Sequence, residues 1–91
     1  NIMKTYKIYI GANNDTGRLE LAKAKGIIAK MFEGFTVYQA KGYWLGKPEK
    51  TAIIEICTSD KDKIDSLIKV LKVELKQDAI AYNVLPALKF V

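Results

Sequence analysis

Residues 35–58 read FTVYQAKGYWLGKPEKTAIIEICT, and this stretch decides the fold. Two runs rich in β-branched and aromatic residues, 35–43 and 49–58, flank a segment holding Gly42, Gly46 and Pro48. Only about five residues part the two runs, too few for a parallel crossover, so they form an antiparallel hairpin. Ile53, Ile54, Ile56 and Cys57 put apolar groups on both faces of the second run, which marks a central strand.

Amphipathic helices flank this hairpin. Before it, Leu21, Ala24, Ile28, Met31 and Phe32 recur at helical spacing, with Lys23, Lys25 and Lys30 on other faces. Gly34 is placed to end that helix, and Gly26 inside it points to close packing against a sheet. After the hairpin, Ile64, Leu67, Ile68, Leu71 and Leu75 form a second stripe. Ser59 or Asp60 caps it, Asp62 suits its first turn, and Lys69, Lys72 and Lys76 suit its last turns.

Residues 5–10 alternate with period two and form a first strand; residues 79–84 form a last one, which Pro86 ends. Residues 87–91 are expected to add a short edge segment. The order strand–helix–strand–strand–helix–strand is the ferredoxin-like βαββαβ arrangement: an α+β fold with a four-stranded antiparallel sheet and two helices on one face. The 91 residues make a single domain. The helices should cover Tyr6, Ile8, Ile10, Ala52, Ile54 and Ile56. The other face then presents Lys7, Tyr9, Thr51, Ile53, Glu55 and Cys57, a set apolar enough to want a partner. A chain of this size buries only about 60–65% of its unfolded surface, and self-association is a common remedy. A homo-oligomer, dimer or trimer, is therefore expected.

Composition narrows the chemistry. There is no His, so Ser-His-Asp, Cys-His and His-based zinc sites are excluded, and acid–base work falls to carboxylates, Tyr or Lys. Neither a metal nor a cofactor is expected. The single Cys57 forms no intrachain disulfide and reads as a core or interface residue. The net charge of +5 is almost all Lys, with Arg18 the one Arg, and suits weak attraction to anions. No apolar run has the length of a membrane span, and the N-terminus lacks a signal-peptide pattern. A cytoplasmic protein, of a bacterial host or prophage carrier, is the expectation.

Three places are candidates for binding. The loop at residues 11–17, with Asn13 and Asn14, is positioned to offer backbone N–H groups to an anion, although a plain strand-to-helix connection explains it too. Ile8-Tyr9-Ile10-Gly11-Ala12-Asn13 resembles the first-strand motif of RNA-recognition domains, in which the aromatic stacks on a base. The matching third strand here, residues 50–56, carries Glu55 and no aromatic, so nucleic-acid binding is not expected and Tyr9 reads as an interface residue. The third place is the hairpin tip. Tyr43 and Trp44 there offer an apolar wall for an adenine or a sulfonium, and Glu49 lies between Lys47 and Lys50. A solvated hairpin is the plain alternative.

The order of features around that tip adds a resemblance. Gly42-Tyr43-Trp44, a short loop, Glu49-Lys50-Thr51 and an apolar strand ending in Cys57 resemble the S-adenosylmethionine lyases encoded by some bacteriophages, over roughly residues 35–82. The resemblance implies a trimeric ferredoxin-like protein with substrate bound between subunits. It implies breakdown of S-adenosylmethionine to methylthioadenosine and homoserine lactone without metal or cofactor. The family's Glu falls on Glu49; its Tyr falls at Trp44, one residue from Tyr43. Glu49 and Tyr43 become candidate catalytic residues, and Trp44, Tyr9, Glu55, Asn13 and Asn14 candidate ligand contacts. The alternatives are a non-catalytic oligomer that captures a nucleotide-like molecule, of anti-restriction type, or an interaction module with no ligand.

Overall fold

The computed structural model describes residues 2–91. Strand β1 (Lys4–Ile10) leads to helix α1 (Leu21–Ala29); β2 (Thr36–Trp44) and β3 (Lys47–Thr58) follow; α2 (Lys61–Glu74) and β4 (Ala81–Pro86) close the chain. The sheet runs β2-β3-β1-β4, and every neighbouring pair is antiparallel. This is the ferredoxin-like arrangement.

Period-two alternation builds the core from one sheet face. Tyr6, Ile8 and Ile10 of β1 and Ala52, Ile54 and Ile56 of β3 are buried, as are Ala24, Ile28 and Phe32 from the first helical region and Ile64, Leu67, Leu71 and Leu75 from the second. Each fully buried Ile or Leu contributes about 1.5–3 kcal/mol by leaving water. Helix α2 starts where Asp60 accepts a hydrogen bond from the Lys63 backbone N–H at 2.9 Å, so of the two expected caps Asp60 is the one used. Its far end closes in a Schellman arrangement. Lys76 takes a left-handed φ of 52°, and the Gln77 N–H reaches the Lys72 carbonyl at 2.9 Å.

Four expectations change. The β2–β3 connection is two residues long. Leu45 (φ 50°) and Gly46 (φ 78°) both have positive φ, the mark of a type I′ turn, so the strands run closer to the tip than propensity indicates. Helix α1 ends at Ala29 and is not stopped by Gly34. Hydrogen bonds of 2.9 Å from the Met31 and Phe32 N–H groups to the Ile28 carbonyl add a closing turn that carries the chain far enough to bury Phe32. Gly26 is exposed and faces open space, so it serves no close packing. The last strand sits at Ala81–Pro86, and residues 87–91 form no regular structure. Pro86 fits there because β4 is an edge strand and its final residue needs no ladder donor.

Candidate functional site

The hairpin outreaches the sheet. Strand β1 pairs with β3 only from Ala52 to Thr58, whereas β2 accompanies β3 down to Trp44 opposite Lys47. The last five pairs therefore project beyond the sheet by about 17 Å at about 3.4 Å per residue. Gly42 lets the strands pack closely in this ribbon, since a Cβ there would meet the Thr51 hydroxyl at 3.0 Å and that side chain would have to give way.

Register assigns each tip residue to a side. Val37 pairs with buried Ile54, so Gln39, Lys41, Tyr43, Pro48 and Lys50 share the helix-bearing side. Trp44, Lys47 and Glu49 share the open side with Tyr38, Ile53 and Glu55. Tyr43 and Trp44, each 68% exposed, consequently point to opposite sides and do not form the single wall that their adjacency invites. Glu49 and Glu55 share a side but stand six residues apart, about 20 Å along the strand.

Beneath the hairpin, on its helix-bearing side, lies a cleft of about 940 Å³. Its one wall is the loop after β1, with Asn13, Asn14 and Arg18; the other is the ribbon, with Gln39, Glu49 and Lys50; Gln77 closes the floor. The ribbon segment at Glu49 and the two Asn residues, distant in sequence, thus border one cleft, although register turns the Glu49 side chain toward the open side.

The loop is held from within. The Asn13 Oδ1 accepts from the backbone N–H groups of Asp15 (2.7 Å) and Thr16 (3.2 Å), and its Nδ2 donates to Glu20. The N–H groups of Asn13, Asn14, Gly17 and Arg18 find partners at the Arg18, Lys76 and Asn13 carbonyls and the Thr16 hydroxyl. Gln77 latches the loop to α2: its Oε1 accepts from the Gly11 N–H at 3.2 Å and its Nε2 donates to the Ala12 carbonyl at 2.6 Å. The expected cradle of free backbone N–H groups is therefore not what this loop offers. Asn13 organises the loop, and Asn14 is left on the cleft wall.

The open sheet face carries a second group. Tyr38 donates its hydroxyl to Glu55 at 2.8 Å, Lys7 stands directly opposite Glu55 in the β1–β3 register, and the Lys7 ammonium lies 5.6 Å from the centre of the Tyr9 ring. The Glu55 carboxylate holds the Tyr38 phenol above its ordinary range, and Tyr9 first, then Tyr38, holds Lys7 above the usual lysine range. These side chains shield Ile53, which is buried although it sits on the open side. Tyr9 and Glu55 thus belong to this patch and not to the cleft.

Among the described residues, no group of three carboxylate or thiol side chains converges. Nor is any helix among them long and apolar enough to cross a membrane. Sequence reading overlooked Arg18, Lys50 and Gln77. The first two are visible as cations but acquire meaning only once the hairpin folds over the loop, and Gln77 has no local signal at all.

Neither a protein-family model nor a curated protein matches the sequence. Solved structures do match. A DUF3240 family protein from Shewanella baltica aligns with a TM-score of 0.66 at 13% identity, covering 97% of this chain and 93% of that one. CutA1 from Oryza sativa aligns at 0.55 and 17% identity, covering 97% and 84%. The de novo designed protein Foldit4 aligns at 0.52 and 16% identity, covering 94% and 97%. The likeness shows the fold alone. A designed chain among the neighbours makes the point, because a scaffold that can be written from first principles brings no activity with it.

Proposed function

We propose that this chain is a self-associating domain that binds an adenosine-containing small molecule beside the β2–β3 hairpin. The observation that carries the reading is the cleft that the Asn13–Asn14 loop and the hairpin ribbon enclose, with Glu49 at its rim. Self-association has its own support. The open face offers Tyr9 and Tyr38 beside Ile53, with Leu85 farther along the same face, and a second copy of the chain would add the burial that a small core lacks.

The finer form of the proposal is the S-adenosylmethionine lyase reaction to which the hairpin's sequence points. The substrate's own carboxylate oxygen attacks its γ-carbon, the carbon–sulfur bond breaks with its electron pair going to sulfur, and methylthioadenosine and homoserine lactone leave. No proton need move. The protein's work is to hold the folded conformer and to exclude water. Tyr43 and Glu49 lie on opposite sides of one ribbon, so a substrate touching both must sit between two chains, with Tyr43 from one and Glu49 from the other.

Incubation with S-adenosylmethionine tests this directly. Methylthioadenosine should appear, Glu49→Gln and Tyr43→Phe should each abolish it, and mixing the two inactive variants should restore part of the activity through mixed oligomers. Absence of product from the parent protein overturns the lyase. Absence of calorimetric binding to any adenosine compound overturns the ligand reading as a whole. A strictly monomeric protein at high concentration overturns self-association.

A further inference from the structure

We infer that the cleft beneath the hairpin is an anion site, in which Arg18 and Lys50 of the lining, with Lys41 paired beside Lys50 just outside it, hold the negatively charged end of a small molecule, a phosphate or a carboxylate. The inference deepens the ligand reading above and names three residues to which it gives no role.

Two independent features carry it. The first is the pairing of Lys41 with Lys50 directly across β2 and β3. Like charges in that position are destabilising. The two-residue turn sharpens the conflict. The pair next to such a turn, Trp44 with Lys47, is hydrogen-bonded; alternation then makes Lys41–Lys50 a non-hydrogen-bonded pair, the type whose side chains stand closer. Elsewhere in the sheet the chain solves the same problem differently, setting Lys7 opposite Glu55. The second feature is the facing wall. The chain's one Arg, Arg18, lines the cleft opposite Lys50. None of the three cations takes part in an ion pair among the described residues, where Lys61–Asp65 is the single one.

The remaining charges nearby do not cancel the field. Glu49 contributes to the rim, but register puts its side chain on the opposite side of the ribbon from Lys41 and Lys50. Glu20 accepts the Asn13 amide within the loop. The amides of Gln39, Asn14 and Gln77 line the remaining wall. Since the loop's N–H groups at 11 and 13–18 already have partners within the protein, it is side chains that must grip the anion. The planar guanidinium of Arg18 suits phosphate and carboxylate equally.

Calorimetric titration with ATP, S-adenosylhomocysteine, adenosine and inorganic pyrophosphate tests the inference. ATP carries the phosphate, S-adenosylhomocysteine the carboxylate, and adenosine neither. The charged compound of the right class should bind about tenfold or more tightly than adenosine, since one hydrogen bond to a charged group is worth that factor. Binding should weaken as salt rises, and Arg18→Gln with Lys50→Gln should remove the advantage. Lys41→Gln should melt above the parent protein without ligand, and saturating pyrophosphate should raise the parent's melting temperature. Adenosine binding as tightly as its charged derivatives, with the double variant unchanged, overturns the anion site and leaves the adenosine reading standing. Pyrophosphate binding that the double variant loses, with no adenosine compound bound, does the reverse. No binding of any of the four overturns both.

Discussion

Tyr38 and Glu55 meet diagonally across β2 and β3, the phenol donating to the carboxylate at 2.8 Å, while their direct cross-strand partners are Ile53 and Thr36. The bond favours the neutral phenol, which is why Tyr38 titrates above its ordinary value of 10.0. A raised folded-state value means that the bond's contribution to stability is full below the unfolded value of about 10 and is lost as pH climbs through the folded one. In an ultraviolet titration the late-ionising tyrosine should vanish in Tyr38→Phe and return to the ordinary range in Glu55→Gln. An unchanged profile in Glu55→Gln would show that the bond does not persist in solution.

Asn13 and Asn14 should behave differently although they are neighbours. Asn13 is almost wholly buried and ties together three groups of its own loop, so Asn13→Ala should cost about 1–3 kcal/mol in denaturant unfolding with no ligand present. Asn14→Ala should leave stability within about 0.5 kcal/mol, as an exposed surface change does, and reveal itself only in ligand binding.

Gly26 occupies an exposed helical position where an added methyl meets nothing. Gly26→Ala should stabilise the chain by about 1 kcal/mol, and for a domain of this size the melting temperature should rise by about 4–8 °C. A fall would mean that the site is covered by another molecule in the assembled protein.

Leu45, 84% exposed, stands at φ 50°, a backbone conformation that Asn tolerates and Leu resists. Leu45→Asn should raise the stability of the isolated chain by about 1 kcal/mol, measured by chemical unfolding. If the leucine is retained for a contact between chains, sedimentation should show weaker assembly in the same variant.

The six elements, the sheet face that meets the helices and the Asp60 cap were legible because each rests on a short-range pattern: alternation, a 3.6-residue stripe, a capping side chain. The tip was less so. Leu45 and Lys76 sit where glycine is the expected residue, so neither the tight turn nor the Schellman ending announces itself. Sidedness followed the turn. A shift of one residue moves every side chain to the other side of a strand, so Tyr43, Trp44 and Glu49 gain definite directions only with the register. The cleft was beyond reach, since the Gln77 latch on Gly11 spans 66 residues.

The projecting ribbon has one more consequence. Along residues 47–51 the inner edge of β3 has lost β1, and β2 lies at the margin of the sheet, so both sides of the ribbon are open to strand addition by other chains. Pro48 belongs to a non-hydrogen-bonded pair, so the N–H it lacks is one that would have pointed outward. Lys41, Lys47 and Lys50 repel a second copy of the same edge. The residues that charge the ribbon therefore also guard it against fibrous aggregation. Neutralising all three lysines at once should expose that hazard even where each single change is tolerated.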